Sequence, residues 1–378
     1  MIRRSLAAGL VIAAVTSAPR GQQGTVAPAM IDVFVAGEGG YHTYRIPSAI
    51  VTPKGTLLAF AEGRRAGAGD AGDIDLVLRR SHDAGRSWTP LQVIGDNGPN
   101  TFGNPCAVVD SRTNTIWLLT TQNRGTDREK DIIAGTSEGS RTVWAMRSQD
   151  DGATWSTPAE LTASVKARDW TWYATGPGVG IQLKSGRLVV PGNHAEAKTG
   201  VHRSHLIFSD DGGKSWTVGA SSDPGTNESQ VVELADGQLL LNMRNHPPKP
   251  ENFRMIARSS DDGRTLSPAA ADRALIEPPA QASLLRFTTA TARDRNRLLF
   301  ANPASPARER MTVRLSYDEG VSWPVSRVVH EGPAAYSSLV ALPDRTIGVL
   351  FERGERSPYE RITLARLTLE WLTRGADR

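Results

Sequence analysis

The sequence predicts an all-β protein, a six-bladed β-propeller of four-stranded antiparallel blades. A pattern, Ser-x-Asp-x-Gly-x-Ser/Thr-Trp, recurs along the chain, and a fixed repeat of this kind is typical of radially repeated folds. Its copies lie at residues 81–88, 148–155, 209–216, 259–266, where leucine replaces tryptophan, and 316–323. The 36 glycines and 23 prolines also suit a turn-rich β-protein better than a helical one.

Each copy of the repeat predicts a turn that joins two strands of one blade. The aspartate can accept hydrogen bonds from backbone N–H groups of its own loop, and the glycine can take a positive φ. The tryptophan would anchor the turn beneath its sheet. Strand-like runs precede the copies, as at residues 74–78 before the first and 206–208 before the third.

Further hairpins are predicted between the repeats. The folded part opens with a strand at 29–35, and pairs of strand-like runs follow, separated by short turns. These pairs are 44–50 with 57–61, 180–183 with 187–191, 231–234 with 238–242, and 338–341 with 346–351. Residues 359–373 fit either a strand or a helix. The long loops 123–141 and 246–252 are candidates for a ligand site, because loops on one rim of a propeller commonly carry it.

The evenly spread repeats predict one closed domain, at residues 28–374. A net charge of +4 over 378 residues is mild, and no basic run resembles a nucleic-acid-binding patch, so no nucleic-acid partner is expected. Cys106 is the single cysteine, which excludes an intramolecular disulfide and predicts a packed, inert thiol.

Residues 1–22 are predicted to be an export signal with an undetermined cleavage site. Arg3 and Arg4 precede an apolar stretch at 6–15 that is too short to span a bilayer, and small residues follow it. No other segment is apolar and long enough to cross a membrane. The sequence therefore predicts a secreted or periplasmic protein without a membrane span.

Several ordered motifs resemble those of bacterial exo-α-sialidases (neuraminidases). They are Tyr-Arg-Ile-Pro at 44–47, Ala-Glu-Gly-Arg at 61–64, Trp-Thr-Trp-Tyr-Ala-Thr-Gly-Pro-Gly at 170–178, Asn-Glu-Ser-Gln at 227–230, Leu-Asn-Met-Arg at 241–244 and Ala-Tyr-Ser-Ser at 335–338. The resemblance covers residues 31–352. It implies retaining hydrolysis of terminal α-linked sialic acids from glycoproteins, glycolipids or oligosaccharides. Transfer to another sugar and sugar binding without catalysis remain alternatives.

The resemblance implies an arginine clamp for the carboxylate of the sugar, a role suited to the planar guanidinium fork. Arg45 and Arg244 match the first two members. The third is Arg308 or Arg310, with Arg308 favoured by its spacing to the segment 311–314. Glu352 resembles the carboxylate that orients Arg45.

The resemblance also implies Tyr336 as nucleophile and Glu228 as its base. Sialidases with a tyrosine nucleophile are an exception among retaining glycosidases. A carboxylate attacking a carbon that already bears a carboxylate would meet like-charge repulsion, which a neutral phenol avoids. A phenol with a pKa of about 10 needs a base near neutral pH.

Asp70 matches the acid/base of the family, with Asp73 and Asp75 as competitors. Arg64 resembles the residue that contacts the C4 side of the sugar. The loop positions Asn123, Trp172 and Tyr173 are weaker substrate-binding candidates, and packing in the core is an equal interpretation for Trp172.

No metal or cofactor is predicted. The alternation of Asp70, Asp73 and Asp75 resembles calcium ligands, but the remainder of a calcium loop is absent from the sequence. His202 and His205 fall in a predicted strand, where they would face opposite sides.

Overall fold

The computed structural model describes residues 27–246, 251–292 and 294–377, which form an all-β fold. The predicted export signal at 1–22 lies outside the described residues, as do residues 247–250 of the second long loop. Among the described residues, no helix has the length and apolar character needed to cross a membrane.

The first half of the described chain contains strands β1 to β9. They are β1 (Ala29–Val35), β2 (Thr43–Val51), β3 (Leu57–Arg64), β4 (Ile74–Ser81), β5 (Gln92–Gly95), β6 (Thr101–Asp110), β7 (Thr115–Asn123), β8 (Thr142–Ser148) and β9 (Ala159–Glu160). Helix α1 (Glu129–Ala134) lies between β7 and β8, and helix α2 (Thr162–Val165) follows β9.

The second half contains the remaining strands and helix α3 (Leu369–Thr373). The strands are β10 (Trp170–Thr175), β11 (Gly178–Val179), β12 (Ile181–Gln182), β13 (Leu188–Glu196), β14 (His202–Ser209), β15 (Thr217–Ser221), β16 (Thr226–Glu233), β17 (Leu239–Asn245), β18 (Arg254–Ser259), β19 (Ala270–Asp272), β20 (Ser283–Thr288), β21 (Arg297–Pro303), β22 (Glu309–Ser316), β23 (Val325–Ala341), β24 (Ile347–Arg353) and β25 (Arg361–Leu367).

Most strands pair antiparallel with their neighbours in sequence. The antiparallel runs are β2–β3–β4–β5, β6–β7–β8–β9, β13–β14–β15 with β10 and β12 on β13, β16–β17–β18–β19, and β20 to β25. The four hairpins predicted between the repeats are confirmed. The long strand β23 pairs with β22 through its first part and with β24 through its second.

Strands of successive runs contact one another, so the sheets lie side by side around a common centre. Strand β2 contacts β6, β6 contacts β13, β13 contacts β16, β16 contacts β20, β20 contacts β23, and β23 contacts β2. The amino-terminal strand β1 pairs with β25, which brings the two ends of the chain into one sheet. The apolar core fills the spaces between neighbouring sheets, as where Phe34 packs with Leu57 and Leu364.

The repeat turns form as the sequence predicts. In the third copy, the Asp211 carboxylate accepts from the Ser215 backbone N–H at 2.9 Å and from its hydroxyl at 2.7 Å. Gly213 has φ 90°, a conformation that glycine tolerates best. Trp216 is buried against the sheet. The other copies repeat the aspartate contacts, and each turn joins two paired strands.

The helical segments differ from the sequence-based expectation. Residues 359–373, which fitted a strand or a helix, contain both β25 and α3, and the Thr368 side chain accepts from the Trp371 N–H at the start of α3. The short helices α1 and α2 were not predicted. Cys106 is fully buried, as expected, and burial raises the pKa of its thiol.

Candidate active site

A cavity of about 380 Å³ lies near the beginning of the first strands of several sheets. Its wall is polar and charged, with contributions from β2, β6, β10, β16 and β23. The polar and ionisable lining residues are Arg45, Glu62, Arg64, Asp70, Asn104, Glu129, Arg141, Asn193, Asn227, Glu228, Arg244, His246, Arg308, Tyr336 and Tyr359.

Irregularities in strand pairing direct backbone segments toward this cavity. The register shifts between Arg45 and Ser48 in β2, and comparable shifts occur in β6, β10, β16 and β23. Two cavity residues at these shifts have positive φ, Ile46 at 60° and Asn104 at 53°. Such bulges change the alternation of side chains along a strand and are common beside active sites.

Tyr336 and Glu228 form a hydrogen-bonded pair in the cavity. The Tyr336 hydroxyl donates to Glu228 Oε1 at 2.5 Å, and Arg244 Nη1 donates to Glu228 Oε2 at 2.9 Å. Burial raises the pKa of Tyr336, and the Glu228 charge raises it further, although nearby arginines oppose both. Tyr336 is therefore a neutral phenol near neutral pH, hydrogen-bonded to the Glu228 side chain.

Two further arginines face Tyr336. Arg45 Nε donates to Glu352 Oε1 at 2.8 Å, and the Arg45 guanidinium lies 5.1 Å from the centre of the Tyr336 ring. The Arg308 guanidinium lies 5.5 Å from the same ring. Arg308 donates to the Tyr359 hydroxyl and to the Pro279 carbonyl, both of them uncharged acceptors.

Glu352 fixes this side of the cavity from behind. It is fully buried, and besides Arg45 it accepts from the Ile46 N–H at 2.9 Å and from the Tyr336 N–H at 3.0 Å. Burial lowers the pKa of Arg45, but the attraction of Glu352 outweighs burial and leaves that pKa above its ordinary value. Arg45 thus stays charged, and one carboxylate holds both Arg45 and the backbone of Tyr336.

Asp70 lies at the more open side of the cavity, with 60% of its side chain exposed. Its Oδ1 lies 2.8 Å from Arg64 Nη1 and 3.7 Å from Arg45 Nη1. Partial desolvation raises the pKa of Asp70, but Arg64 and Arg45 outweigh it and lower the pKa overall. Glu62 holds Arg64 through two hydrogen bonds of 3.0 and 2.6 Å.

Arg141, Asn104 and Glu129 line the cavity although the sequence analysis assigned them no role. The Arg141 guanidinium donates to Asn104, Asn123 and Thr121, and burial lowers its pKa to about 10. Glu129 lies on α1, and desolvation together with the nearby Asp70 charge raises its pKa to about 7. The long loop 123–141, expected to carry a ligand site, supplies Glu129 and ends at Arg141.

Three predicted substrate-binding residues lie outside the cavity lining. Arg310 points away from it, with half of its side chain exposed and Glu331 at 3.4 Å. Tyr173 is fully buried in the core. Asn123 is buried behind the cavity, where it accepts from Arg141 at 2.6 Å. Among the alternatives, the structure places Arg308 and Trp172 in the lining.

The competitors of Asp70 have other partners. Asp75 is buried in β4 and accepts from the Tyr41 hydroxyl at 2.6 Å. Asp73 pairs with Arg65 at 3.1 Å on the surface. Neither aspartate lines the cavity, so Asp70 is the one of the three that shares the lining with Tyr336.

A second cavity, of about 500 Å³, lies at the other end of the first strands. Its wall is largely aliphatic, with residues such as Val109, Val232, Leu284 and Val340. Glu233, Lys184 and Arg286 are charged residues of this second wall. The smaller polar cavity holds the hydrogen-bonded Tyr336–Glu228 pair among several arginines and acids, so it is the candidate active site.

Comparison with known proteins agrees with the all-β fold. Residues 55–349 match the family model of the BNR repeat-like domain. The chain is 34% identical to an exo-alpha-sialidase of Aspergillus fumigatus, covering 89% of this chain and 87% of that protein. It is 35% identical to a sialidase of Micromonospora viridifaciens, covering 89% of this chain and 54% of that longer protein.

Among solved structures, the Hadza microbial sialidase Hz136 superposes with a TM-score of 0.82 at 31% identity, covering 90% of this chain and 68% of that one. The fold and the family match thus define an all-β protein with BNR-type repeats. The chain belongs to the sialidase family.

Proposed function

We propose that this protein is an exo-α-sialidase that hydrolyses terminal α-linked sialic acids from glycans with retention of configuration. The observation that carries the proposal is the 2.5 Å hydrogen bond from the Tyr336 hydroxyl to Glu228, in a cavity that also holds Arg45, Arg244 and Arg308. The names of the relatives add support, since their identities reach 34 and 35% over most of the chain.

The three arginines bind the carboxylate on the anomeric carbon. Arg45 and Arg244 are held by Glu352 and Glu228, while Arg308 has uncharged partners. Arg308 therefore has the most electrostatic capacity left for an anionic ligand. Paired and hydrogen-bonded guanidinium groups keep their orientation, so the substrate carboxylate meets a site that is already arranged.

Tyr336 attacks the anomeric carbon and passes its proton to Glu228. The raised pKa of Tyr336 makes a free phenolate unfavourable, so proton transfer has to accompany the attack. A neutral nucleophile also avoids repulsion by the substrate carboxylate. The bond between the anomeric carbon and the leaving oxygen breaks as the bond to the tyrosine oxygen forms.

Asp70 protonates the leaving oxygen and then removes a proton from the water that releases the sugar. In the free protein, Arg64 and Arg45 keep the pKa of Asp70 low. A bound carboxylate neutralises part of this positive charge, which raises the pKa of Asp70 and favours the acid form. The two displacements at the same carbon together give retention.

The described strands support a six-bladed propeller at residues 28–374. The four runs that begin at β2, β6, β10 and β16 each supply one blade, β20 to β23 supply a fifth, and β23 to β25 with β1 a sixth. We further propose that residues 1–22 direct export. Amino-terminal sequencing of the secreted product would locate the cleavage site, and an intact Met1 on exported protein would contradict this part of the proposal.

The test of the function is release of a fluorescent alcohol from its α-sialoside by the purified full chain. We expect turnover, and we expect the Asp70→Ala variant to lose most of it. Proton NMR of the first product should show the α-anomer. The absence of turnover would overturn the proposed activity, and an initial β-anomer would overturn the double displacement through Tyr336.

A further inference from the structure

Arg308 is held differently from the other two arginines of the proposed carboxylate clamp. Carboxylates bind Arg45 and Arg244 directly. Arg308 instead donates to the Tyr359 hydroxyl and, at 2.8 Å, to the Pro279 carbonyl. A guanidinium that binds a carboxylate through its planar fork has to keep one orientation. The orientation of Arg308 therefore depends in part on where the Pro279 backbone lies.

That carbonyl belongs to a segment between β19 and β20, residues 277–281. Ala280 of this segment is 1% exposed and packs in one apolar cluster with the Tyr336 ring. The Gln281 side chain accepts from the Ser337 N–H at 3.0 Å and donates to the Ser337 carbonyl at 2.9 Å. The 277–281 segment thus contacts both the clamp and the strand that carries the proposed nucleophile.

Arg254 of β18 anchors the 277–281 segment. Its Nη1 donates to the Ala280 carbonyl at 3.0 Å and also to the Glu277 carboxylate. Its Nε donates to the Asn242 side chain at 2.7 Å, which ties the segment to β17. Arg254 is fully buried and lies outside the cavity lining. It can therefore act on a ligand only through its neighbours.

Glu277 is the buried carboxylate partner of Arg254. One of its oxygens accepts from Arg254, and the other accepts at 2.8 Å from the N–H of Asn245, the residue that follows Arg244. Desolvation raises the pKa of Glu277 to about 7, although Arg254 and the Asn245 N–H oppose this shift. Buried ion pairs often lose as much through desolvation as they gain through attraction, so a role in fixing geometry explains this pair better than stability does.

We propose that the buried pair of Arg254 and Glu277 positions Arg308 for the substrate carboxylate. The inference rests on the proposed function and adds two positioning residues to it. Arg254 fixes the Ala280 carbonyl, and the carbonyl of the preceding residue, Pro279, is the acceptor that orients Arg308. Each arginine of the clamp thus depends on a buried carboxylate, and for Arg308 the link runs through Arg254 and the backbone.

The test is the Arg254→Met variant of the full chain, assayed on the fluorogenic α-sialoside. We expect kcat/KM to fall by about 10-fold or more, because a small misplacement of a binding group is sufficient for such a loss. The dissociation constant of 2,3-unsaturated sialic acid, measured by calorimetry, should rise by about the same factor. In an Arg308→Met background, the same substitution should change kcat/KM by less than about 3-fold, because the residue through which it acts is absent.

The matched control is Arg297→Met, which removes a guanidinium from another buried ion pair. Arg297 lies 2.7 Å from Asp377, and neither residue lines the cavity. This variant should melt at a lower temperature, whereas kcat/KM of the folded protein should stay within about 2-fold of wild type. Arg254→Lys keeps the charge but loses the planar fork, so its kcat/KM should lie between those of wild type and Arg254→Met.

A double variant separates positioning from stability. Arg254→Met alone leaves the buried Glu277 without its partner, whereas Arg254→Met combined with Glu277→Gln removes both charges. We expect the double variant to melt at a higher temperature than Arg254→Met. Its kcat/KM should nevertheless remain about 10-fold or more below wild type, because the Ala280 carbonyl still lacks the Arg254 donor. If Arg254→Met does not fold, the double variant and Arg254→Lys decide.

The proposal is overturned if a folded Arg254→Met protein keeps kcat/KM within about 2-fold of wild type. It is equally overturned if the effect of this substitution is undiminished in the Arg308→Met background. Absence of hydrolysis by the wild type would refute the proposed function alone. Crystal structures of the wild type and the folded variant then decide, and an unmoved Pro279 carbonyl and Arg308 guanidinium would overturn the positioning role.

Discussion

At the scale of single residues, the surroundings of each ionisable group determine what it can do. Tyr336 is 5% exposed and keeps its proton, whereas Asp70 is largely exposed and held ionised by two arginines. Glu228 contacts both Tyr336 and Arg244. Because these environments differ, the nucleophile, its base and the acid of the proposed reaction are distinct groups.

The Tyr336→Phe variant tests the proposed nucleophile by removing a single atom, the phenolic oxygen. For Tyr336→Phe we expect kcat on the α-sialoside to fall by on the order of 1,000-fold or more, because the oxygen that forms the covalent bond is absent. The matched control is Tyr173→Phe. Its hydroxyl is buried without a partner among the described residues and lies outside the cavity lining, so activity should stay near wild type. Normal turnover by the Tyr336→Phe variant would refute the assignment of Tyr336 as the nucleophile.

Substitutions of Arg308 and Arg310, near the start of β22, should have very different effects on kcat/KM. Arg308→Met should lower kcat/KM by about 100-fold, because the carboxylate of the bound substrate loses a charge-assisted hydrogen-bond donor. Arg310→Met changes an exposed side chain beside Glu331 and should change kcat/KM by less than about 2-fold. Steady-state kinetics on the same substrate distinguishes them, and a larger effect at Arg310 would reverse the assignment.

At the scale of strands and turns, local irregularities prepare the site and the repeat turns hold the sheets. Register shifts in β2, β6, β10, β16 and β23 lie at the cavity end of these strands. The repeat turns instead join later strands of each sheet, as the third repeat turn joins β14 to β15. A substitution that disrupts a repeat turn should therefore lower the free energy of unfolding while changing kcat little.

The third repeat turn offers a direct test. Asp211→Ala removes the acceptor for both the Ser215 N–H and its hydroxyl, and we expect a loss of about 1–2 kcal/mol in the free energy of unfolding. Asp211→Asn keeps one acceptor oxygen and should lose less. Urea unfolding measures both variants. The kcat of folded protein should stay near wild type, and a large loss of kcat with unchanged stability would contradict this role.

The same turns predict a dependence of stability on pH. Partial desolvation raises the pKa of Asp211, but hydrogen bonds from Ser215 outweigh it and lower the pKa to about 2 from a usual 3.8. A folded-state pKa below the unfolded value means that the ionised form stabilises the fold. This stability is complete above about pH 5 and is lost as pH falls toward 2.

The measurement is urea unfolding at several pH values between 5 and 2. Wild type should lose unfolding free energy progressively over this range, and Asp211→Asn should lose less of it because the amide does not titrate. Identical pH profiles of the two proteins would show that the Asp211 carboxylate does not contribute through its charge.

At the scale of the whole molecule, the site depends on contacts between distant parts of the chain. The bond from Arg45 to Glu352 joins the first sheet to the last, and the bond from Tyr336 to Glu228 joins residues from two different runs of strands. Strand β1 completes the sheet of β23 to β25. The cavity therefore forms only when the sheets are assembled around their common centre.

Strand β1 gives a test of this closure. Phe34 of β1 is 1% exposed and packs in the core with Leu57 and Leu364, whereas Met30 on the same strand is 37% exposed. Phe34→Ala should cost about 3–5 kcal/mol of unfolding free energy, and Met30→Ala less than about 1 kcal/mol. Chemical denaturation measures both. Equal effects would indicate that packing of β1 does not hold the last sheet in place.

The sequence alone predicted many of the strands, the repeat turns and most of the candidate site residues that line the cavity. The turns follow from contacts within a few residues, such as Asp211 with Ser215, so a short pattern is sufficient to predict them. The ordered motifs were likewise sufficient to identify Arg45, Glu228 and Tyr336 as candidates for one cavity, where the structure places them.

Only the tertiary structure decided which neighbours of these motifs face the cavity. Arg308 and Arg310 would share one side of a regular strand, but Arg310 has φ 61° beside a register shift in β22, so only Arg308 enters the lining. Tyr173 lies in the core, and Arg141 reaches the cavity from the far end of a long loop. Side-chain direction at bulges and loop ends depends on packing against other sheets, which local sequence does not specify.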